Sequence, residues 1–338
     1  MGTSRPRQPT VGIVLGAGGV LGAAWMTGAV IALQQWLDRP VHDADVIVGT
    51  SAGSILAAAL RCAVPLEDLL GHQRGVTFGQ LPHLADLDRD SGRLPPWPRL
   101  RLGSPKLLVN AAMAPHRVHI QVAASALLPR GRARHQSLTQ LMHALLPTAN
   151  GGKAPTLDWP TRRTWIICVD YESGRRVAFG RPGARLATLP EAVVASCSIP
   201  GWHEPMKIGD RRYVDGGVRS ATSVELLATA GLDVVYVLAP MASYEMDRPR
   251  NPALRAERLV RQWVTNGLTR EIAKVEATGT KVIALTPGPE DLAVMGINAM
   301  DWTRRQRVLE TSLLTSPGRL AALDPRQLRT RAGSPSAA

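Results

Sequence analysis

Val46-Ile47-Val48-Gly49-Thr50-Ser51-Ala52-Gly53-Ser54-Ile55-Leu56 decides the fold. Asp45 to Val48 reads as a short apolar strand, and an Ala/Leu-rich helical stretch follows to about Ala63. Between them lies Gly49-Thr50-Ser51-Ala52-Gly53, a GxSxG sequence at a strand-to-helix turn. In that setting the serine occupies a sharp, strained corner, and glycines two positions either side let strand and helix pass without Cβ clashes. Ser51 is thereby lifted to the carboxyl edge of a sheet as a candidate nucleophile. Upstream, Val11 to Leu15 reads as a buried strand, and Gly22 to Leu37 carries apolar residues at helical spacing. Strand, turn and helix thus occur twice within the first 63 residues, which points to a parallel α/β sheet.

The chain has 338 residues, 45% of them hydrophobic and only 20% charged, enough to bury one large α/β core with an insertion. Arg5 and Arg7 precede an uncharged run from Gln8 to Leu37 that has the outline of a signal peptide or membrane span. Gly16, Gly18, Gly19, Gly22 and Gly28 would weaken a lone helix there, and fit strand, tight turn and helix better. Cys62, Cys168 and Cys197 are odd in number and far apart, each in an apolar stretch. They read as buried free thiols in a reducing, cytoplasmic setting.

After Ala63 the pattern loosens. Residues 75–160 are rich in Pro, Gly, Arg and His and look like an inserted cap, with helical stretches near Leu107 to Ala112, Val118 to Leu128 and Leu138 to Leu146. From Ser91 to Leu157 there is no acid, against nine cations: Arg93, Arg99, Arg101, Lys106, Arg117, Arg130, Arg132, Arg134 and Lys153. This segment carries most of the formal net charge of +13. It reads either as a solvated face or as a surface for anionic membranes. With Trp97 as its only interleaved aromatic, it does not favour nucleic acid. Regular pattern returns with strands at Thr164 to Asp170 and Arg175 to Phe179 and a helix at Leu189 to Cys197. Tyr213-Val214-Asp215-Gly216-Gly217 then leads into an expected helix to Ala230, and strands at Asp233 to Ala239 and Lys281 to Leu285 flank a long polar helix.

Asp215 is the candidate base. A carboxylate within hydrogen-bond reach of a serine hydroxyl takes its proton directly if the pocket is dry and the oxyanion is stabilised. A Ser51, Asp170, His203 triad in α/β-hydrolase order is an alternative, weakened because Ser51 follows only the second strand. The turn Gly16-Ala17-Gly18-Gly19-Val20-Leu21-Gly22 also admits two readings. As a dinucleotide fingerprint its G-x-G-x-x-G spacing fails at Leu21. As an oxyanion hole, its amides near the helix N-terminus point at developing negative charge.

Together these residues resemble the patatin-like phospholipase family: the glycine turn at 16–22, GTSAG at 49–53, Ala195-Ser196-Cys197-Ser198-Ile199-Pro200, and Asp215-Gly216-Gly217. The resemblance implies a three-layer α/β/α fold with a mainly parallel central sheet and an inserted, mostly helical basic cap. It implies Ser51 as nucleophile, Asp215 as general base, an oxyanion hole at Ala17, Gly18 and Gly19, and support from Gly16, Gly22, Gly49, Gly53, Gly216 and Gly217. The implied activity is lipid ester hydrolysis without a metal; no cofactor is expected, and the basic segment at 91–157 would attach the protein peripherally to an anionic membrane surface. Two departures stand out: Ala17 where the family often has glycine, and Leu21 where bacterial members commonly carry Arg or Lys. The missing cation bears on phosphate headgroup recognition more than on ester cleavage. The expected organisation is a flexible basic stretch at 1–9, the hydrolase domain at 10–318 with the cap at 75–160, and a basic, disordered tail at 319–338. The rival from another class is a non-catalytic membrane adaptor using the basic segment.

Overall fold

Apolar residues along Val11–Leu15 (β1) and Val46–Thr50 (β2) suit strands covered on both faces, and every residue of both is buried. The computed structural model describes residues 8–76, 92–97, 99–149 and 159–324. β1 and β2 pair in parallel, with Gly12 opposite Val46 and Leu15 opposite Gly49. The sheet grows outward from them. Val234–Leu238 (β9) and Lys281–Leu285 (β10) extend it in parallel on the β1 side, and Arg163–Asp170 (β5) does so on the β2 side. Arg211–Asp215 (β8) joins β5 antiparallel, followed by Met206–Ile208 (β7), while Arg176–Phe179 (β6) also pairs with β5. The order is β10-β9-β1-β2-β5-β8-β7.

Strand residues alternate between two apolar layers. Ile13, Leu15, Ile47 and Ile166 face one side, under Gly19–Trp36 (α1), Ala52–Arg61 (α2) and Leu189–Ser196 (α7). Val14, Val46, Val48 and Ile167 face the other, against Val224, Leu227 and the helix Pro252–Glu276 (α8). This is the three-layer α/β/α arrangement. Arg305–Leu323 (α10), which follows the short helix Pro289–Met295 (α9), lies across α1, where Ser312 Oγ donates to Trp25 O at 2.7 Å, and a Cβ at Gly28 would come within 2.7 Å of Ser312 Oγ. The final helix therefore belongs to the core and runs five residues past the expected tail boundary at 318. Residues 1–7 and 325–338 lie outside the described residues, as do 77–91, 98 and 150–158 of the expected cap.

The described cap holds a ribbon of Arg99–Leu102 (β3) and Pro129–Arg130 (β4), with helices Pro105–Met113 (α4), Ile120–Ser125 (α5) and Gln136–Ala149 (α6). Leu107, Val118, Val122 and Ala126 pack on Val169, Tyr171 and Val214 at the end of the sheet. By contrast Leu138, Leu141, Met142 and Leu145 of α6 are part of the main core beside α2 and α7. Of the helix expected over Val118 to Leu128 only Ile120–Ser125 forms. The helix expected after Asp215 is replaced by two 3₁₀ turns, Gly216–Val218 and Val224–Thr229. Between them Ser220 Oγ accepts the amides of Thr222 and Ser223, a local alternative to helical bonding.

Candidate active site

Ser51 has φ 53° and ψ −125°, a backbone conformation that a non-glycine residue holds only when its surroundings impose it. The neighbours that impose it can be named. A Cβ at Gly53 would sit 2.0 Å from Leu15 O, and one at Gly49 would sit 2.6 Å from Gly53 O. Only glycine at both positions lets α2 start this close to β1 and β2. Ser196 Oγ accepts the Ser51 amide at 2.9 Å and donates to Ile167 O at 2.7 Å, fixing the corner to β5. Ser54 caps the other side, its amide and hydroxyl both donating to Ser51 O.

The register of β5 brings Asp215 to the same level. Thr50 lies opposite Ile167 on one side of β5, and Asp215 opposite Cys168 on the other. The chain turns inward directly after Asp215, passing so close over β5 that a Cβ at Gly216 would lie 2.5 Å from Ile167 O. The buried Asp215 carboxyl accepts the Gly217 amide at 2.7 Å and has the Ser51 side chain beside it. Burial outweighs the lowering effect of both neighbours and pushes its pKa up to about 6.

The glycine turn runs alongside, and here one expectation is corrected. The Ala17 amide donates to Ala221 O at 2.7 Å, and the Gly16 amide to Leu238 O at 2.9 Å, so Ala17 is not an oxyanion donor. The amides of Gly18, Gly19 and Val20, at the N-terminus of α1, have no partner among the described residues. Gly19 holds φ 59°, and a Cβ there would come within 2.9 Å of Ala299 O. Gly22 closes the turn, its amide donating to Gly18 O at 2.8 Å, and Gly217 packs against Ala17.

The Ser51, Asp170, His203 alternative is not assembled. Both ring nitrogens of His203 are buried without a hydrogen-bond partner. Its ring stacks on His135 at 4.0 Å, and burial together with His135 lowers its pKa to about 2. Asp170 accepts the amides of Glu172 and Ser173 and lies 3.5 Å from the Arg211 guanidinium.

Ser51 opens into a cavity of about 150 Å³ between α1, α2, α6 and Leu66–Gln73 (α3). Ile55, Leu56, Leu69, Leu138, Leu141 and Leu145 make its wall apolar. Ser196 and Val20 join the site through the structure; in the sequence only the place of Ser196 within Ala195 to Pro200 points to it. Cys62, Cys168 and Cys197 are buried free thiols, and burial raises the pKa of each. Among the described residues no group of three or more His, Cys, Asp or Glu is placed to hold a metal ion, and no helix is long and apolar enough to cross a membrane.

Fold and site define a three-layer α/β/α protein whose strained serine meets a buried carboxylate at the edge of the sheet. Residues 13–228 match the family described as Patatin-like phospholipase, and the chain belongs to that family. No curated protein matches it. Among solved structures it is similar to VipD from Legionella pneumophila, at 12% identity over 95% of this chain and 68% of that one, TM-score 0.42. It is also similar to the type III effector protein ExoU, at 14% identity over 94% of this chain and 54% of that one, TM-score 0.41.

Proposed function

We propose that this protein hydrolyses carboxylic esters of lipids with Ser51 as nucleophile and Asp215 as general base. The observation that carries the reading is the strained Ser51 set beside a buried Asp215 and opening into an apolar cavity. Membership in the patatin-like phospholipase family supports lipid hydrolysis at the coarser level.

The chemistry follows from the groups present. Asp215, ionised above about pH 6, takes the Ser51 proton as Oγ attacks the ester carbon. Negative charge develops on the former carbonyl oxygen, where the free amides of Gly18 and Gly19 stabilise it, each by about 3 kcal/mol. Collapse transfers the proton from Asp215 to the leaving alcohol and leaves an acyl-Ser51 ester. Asp215 then deprotonates water, which attacks that ester, and returns the proton to Ser51 Oγ as the bond to the acyl group breaks and the carboxylic acid is released. The apolar cavity holds the acyl chain, so its burial contributes binding while the reacting atoms stay at the polar rim. The substrate is delivered from a membrane surface met by the exposed cap side chains Trp97, Met113 and Ile120.

The adaptor reading gives the strained backbone at Ser51 no use. A fluorophosphonate probe separates the two readings. Labelling that is absent from Ser51→Ala supports the hydrolase, and folded wild-type protein that takes no label supports the adaptor.

A further inference from the structure

Two buried polar groups line the Ser51 cavity and have no part in the proposed chemistry. His203 is 1% exposed and lines the cavity, and neither of its ring nitrogens has a hydrogen-bond partner among the described residues. Gln73 Oε1, on α3 in the same wall, is likewise buried and unpartnered. An orphaned buried donor or acceptor is costly and rare in folded proteins. Their gathering in one apolar cavity marks it as suited to a chain that carries polar groups.

The backbone fixes His203. Its amide donates to Ile199 O at 2.9 Å, the amides of Arg132 and Ala133 both donate to Trp202 O at 3.1 Å, and the Glu204 amide donates to Ala133 O at 3.0 Å. The ring stacks on His135, whose Nε2 donates to Cys197 O at 3.1 Å. Cys197 also lines the cavity and directly follows Ser196, which holds the Ser51 amide. A short chain of contacts thus ties the imidazole to the nucleophile, with both in one cavity.

Burial and His135 keep the ring neutral, its pKa lowered to about 2. A neutral imidazole offers one N–H donor and one lone pair, and an alcohol can answer either, because its oxygen accepts and its proton donates. A charged group is disfavoured there, since a ring that stays neutral cannot compensate it between apolar walls.

We propose that His203 recognises a hydroxyl group on the α or β carbon of the acyl chain, so that hydroxyacyl esters are cleaved in preference to unsubstituted ones. The proposal rests on the acyl hydrolase reading above. It makes His203 a specificity residue that touches the acyl chain and takes no proton from Ser51.

The test compares the methyl esters of decanoic acid and of its α-hydroxy and β-hydroxy derivatives in neutral detergent micelles. Wild type and His203→Phe are assayed, with folding checked by thermal melting; the phenyl ring keeps an aromatic partner for His135 and removes only the nitrogens. His203→Leu replaces it if His203→Phe does not fold. Arg307→Gln, on an exposed stretch of α10, is the control and keeps the wild-type preference. In wild type at least one hydroxy ester has a kcat/KM roughly 10- to 100-fold above that of the plain ester, the scale of pairing a buried group otherwise left unsatisfied. In the folded His203 variant that ratio falls to near one. A ratio that survives loss of the ring nitrogens overturns the proposal, because the preference then lies in the ester or elsewhere in the cavity. Wild type that cleaves all three esters alike keeps the hydrolase and overturns the hydroxyl site, whereas wild type that cleaves none and takes no fluorophosphonate removes both.

Discussion

Ser196 holds Ser51 in place: its hydroxyl oxygen accepts the Ser51 amide at 2.9 Å while its proton goes to Ile167 O at 2.7 Å. The link ties the serine corner to the strand that also pairs with Asp215. Ser196→Ala orphans a buried amide at a backbone position that is already strained, a cost of about 1 to 3 kcal/mol. The expected result is a lower Tm with a fall in kcat larger than any change in KM, measured on a soluble ester. Unchanged kcat would show that the corner needs no such tether.

Acid dependence follows from Asp215. On the proposed mechanism its carboxyl must be ionised to accept the Ser51 proton, and burial raises its pKa to about 6. The profile of kcat/KM should rise with pH through about 6 and then level, about tenfold per pH unit on the acid limb. His203, held near 2, cannot supply that limb. A limb near pH 4, the ordinary carboxylate range, would show that Asp215 is not the titrating group.

The same shift predicts a trade between activity and stability. Unfolding returns Asp215 to the ordinary carboxylate range, so the folded state binds the extra proton between that range and about pH 6. This contribution to stability is fully present below the unfolded pKa and is lost as pH rises through the folded one. At pH 8 the buried carboxylate costs on the order of 3 kcal/mol. Asp215→Asn should therefore be more stable than wild type at pH 8, with the difference closing by about pH 4, as read by denaturant unfolding.

Much of this was legible because glycines mark close approach. Gly49 and Gly53 announced the Ser51 corner, and both are enforced by backbone contacts under 3 Å. The fate of the Ala17 amide was not legible, since its acceptor, Ala221, lies on a distant segment that no local pattern ties to the turn. Nor was α10, because what it covers is α1, a helix buried on nearly all sides whose partner cannot be read from its own periodicity. The charge of the cap was legible as a sum but not as pairs. Its acids come from outside the segment, and Glu204 alone meets Arg99, Arg130 and Arg134.

That pairing reshapes the membrane prediction. Arg93 pairs with Asp301 and Lys106 with Glu172, while Lys153 lies outside the described residues. Arg101, Arg117 and Arg132 are exposed and without a carboxylate partner among the described residues. At about 1 kcal/mol per cation near an anionic surface, replacing these three with Ser should abolish salt-sensitive binding to anionic vesicles. Arg130→Ser should leave it nearly intact. Co-sedimentation decides, and equal binding to zwitterionic vesicles would remove the electrostatic account.

The central claim is that Asp215, and no histidine, activates Ser51. It is tested most directly by measuring kcat on one lipid ester for Asp215→Asn and His203→Ala, each shown to be folded by its melting transition. The account predicts that Asp215→Asn loses turnover while His203→Ala keeps a substantial part of it. Loss of turnover in a folded His203→Ala protein, with activity retained in Asp215→Asn, would contradict it.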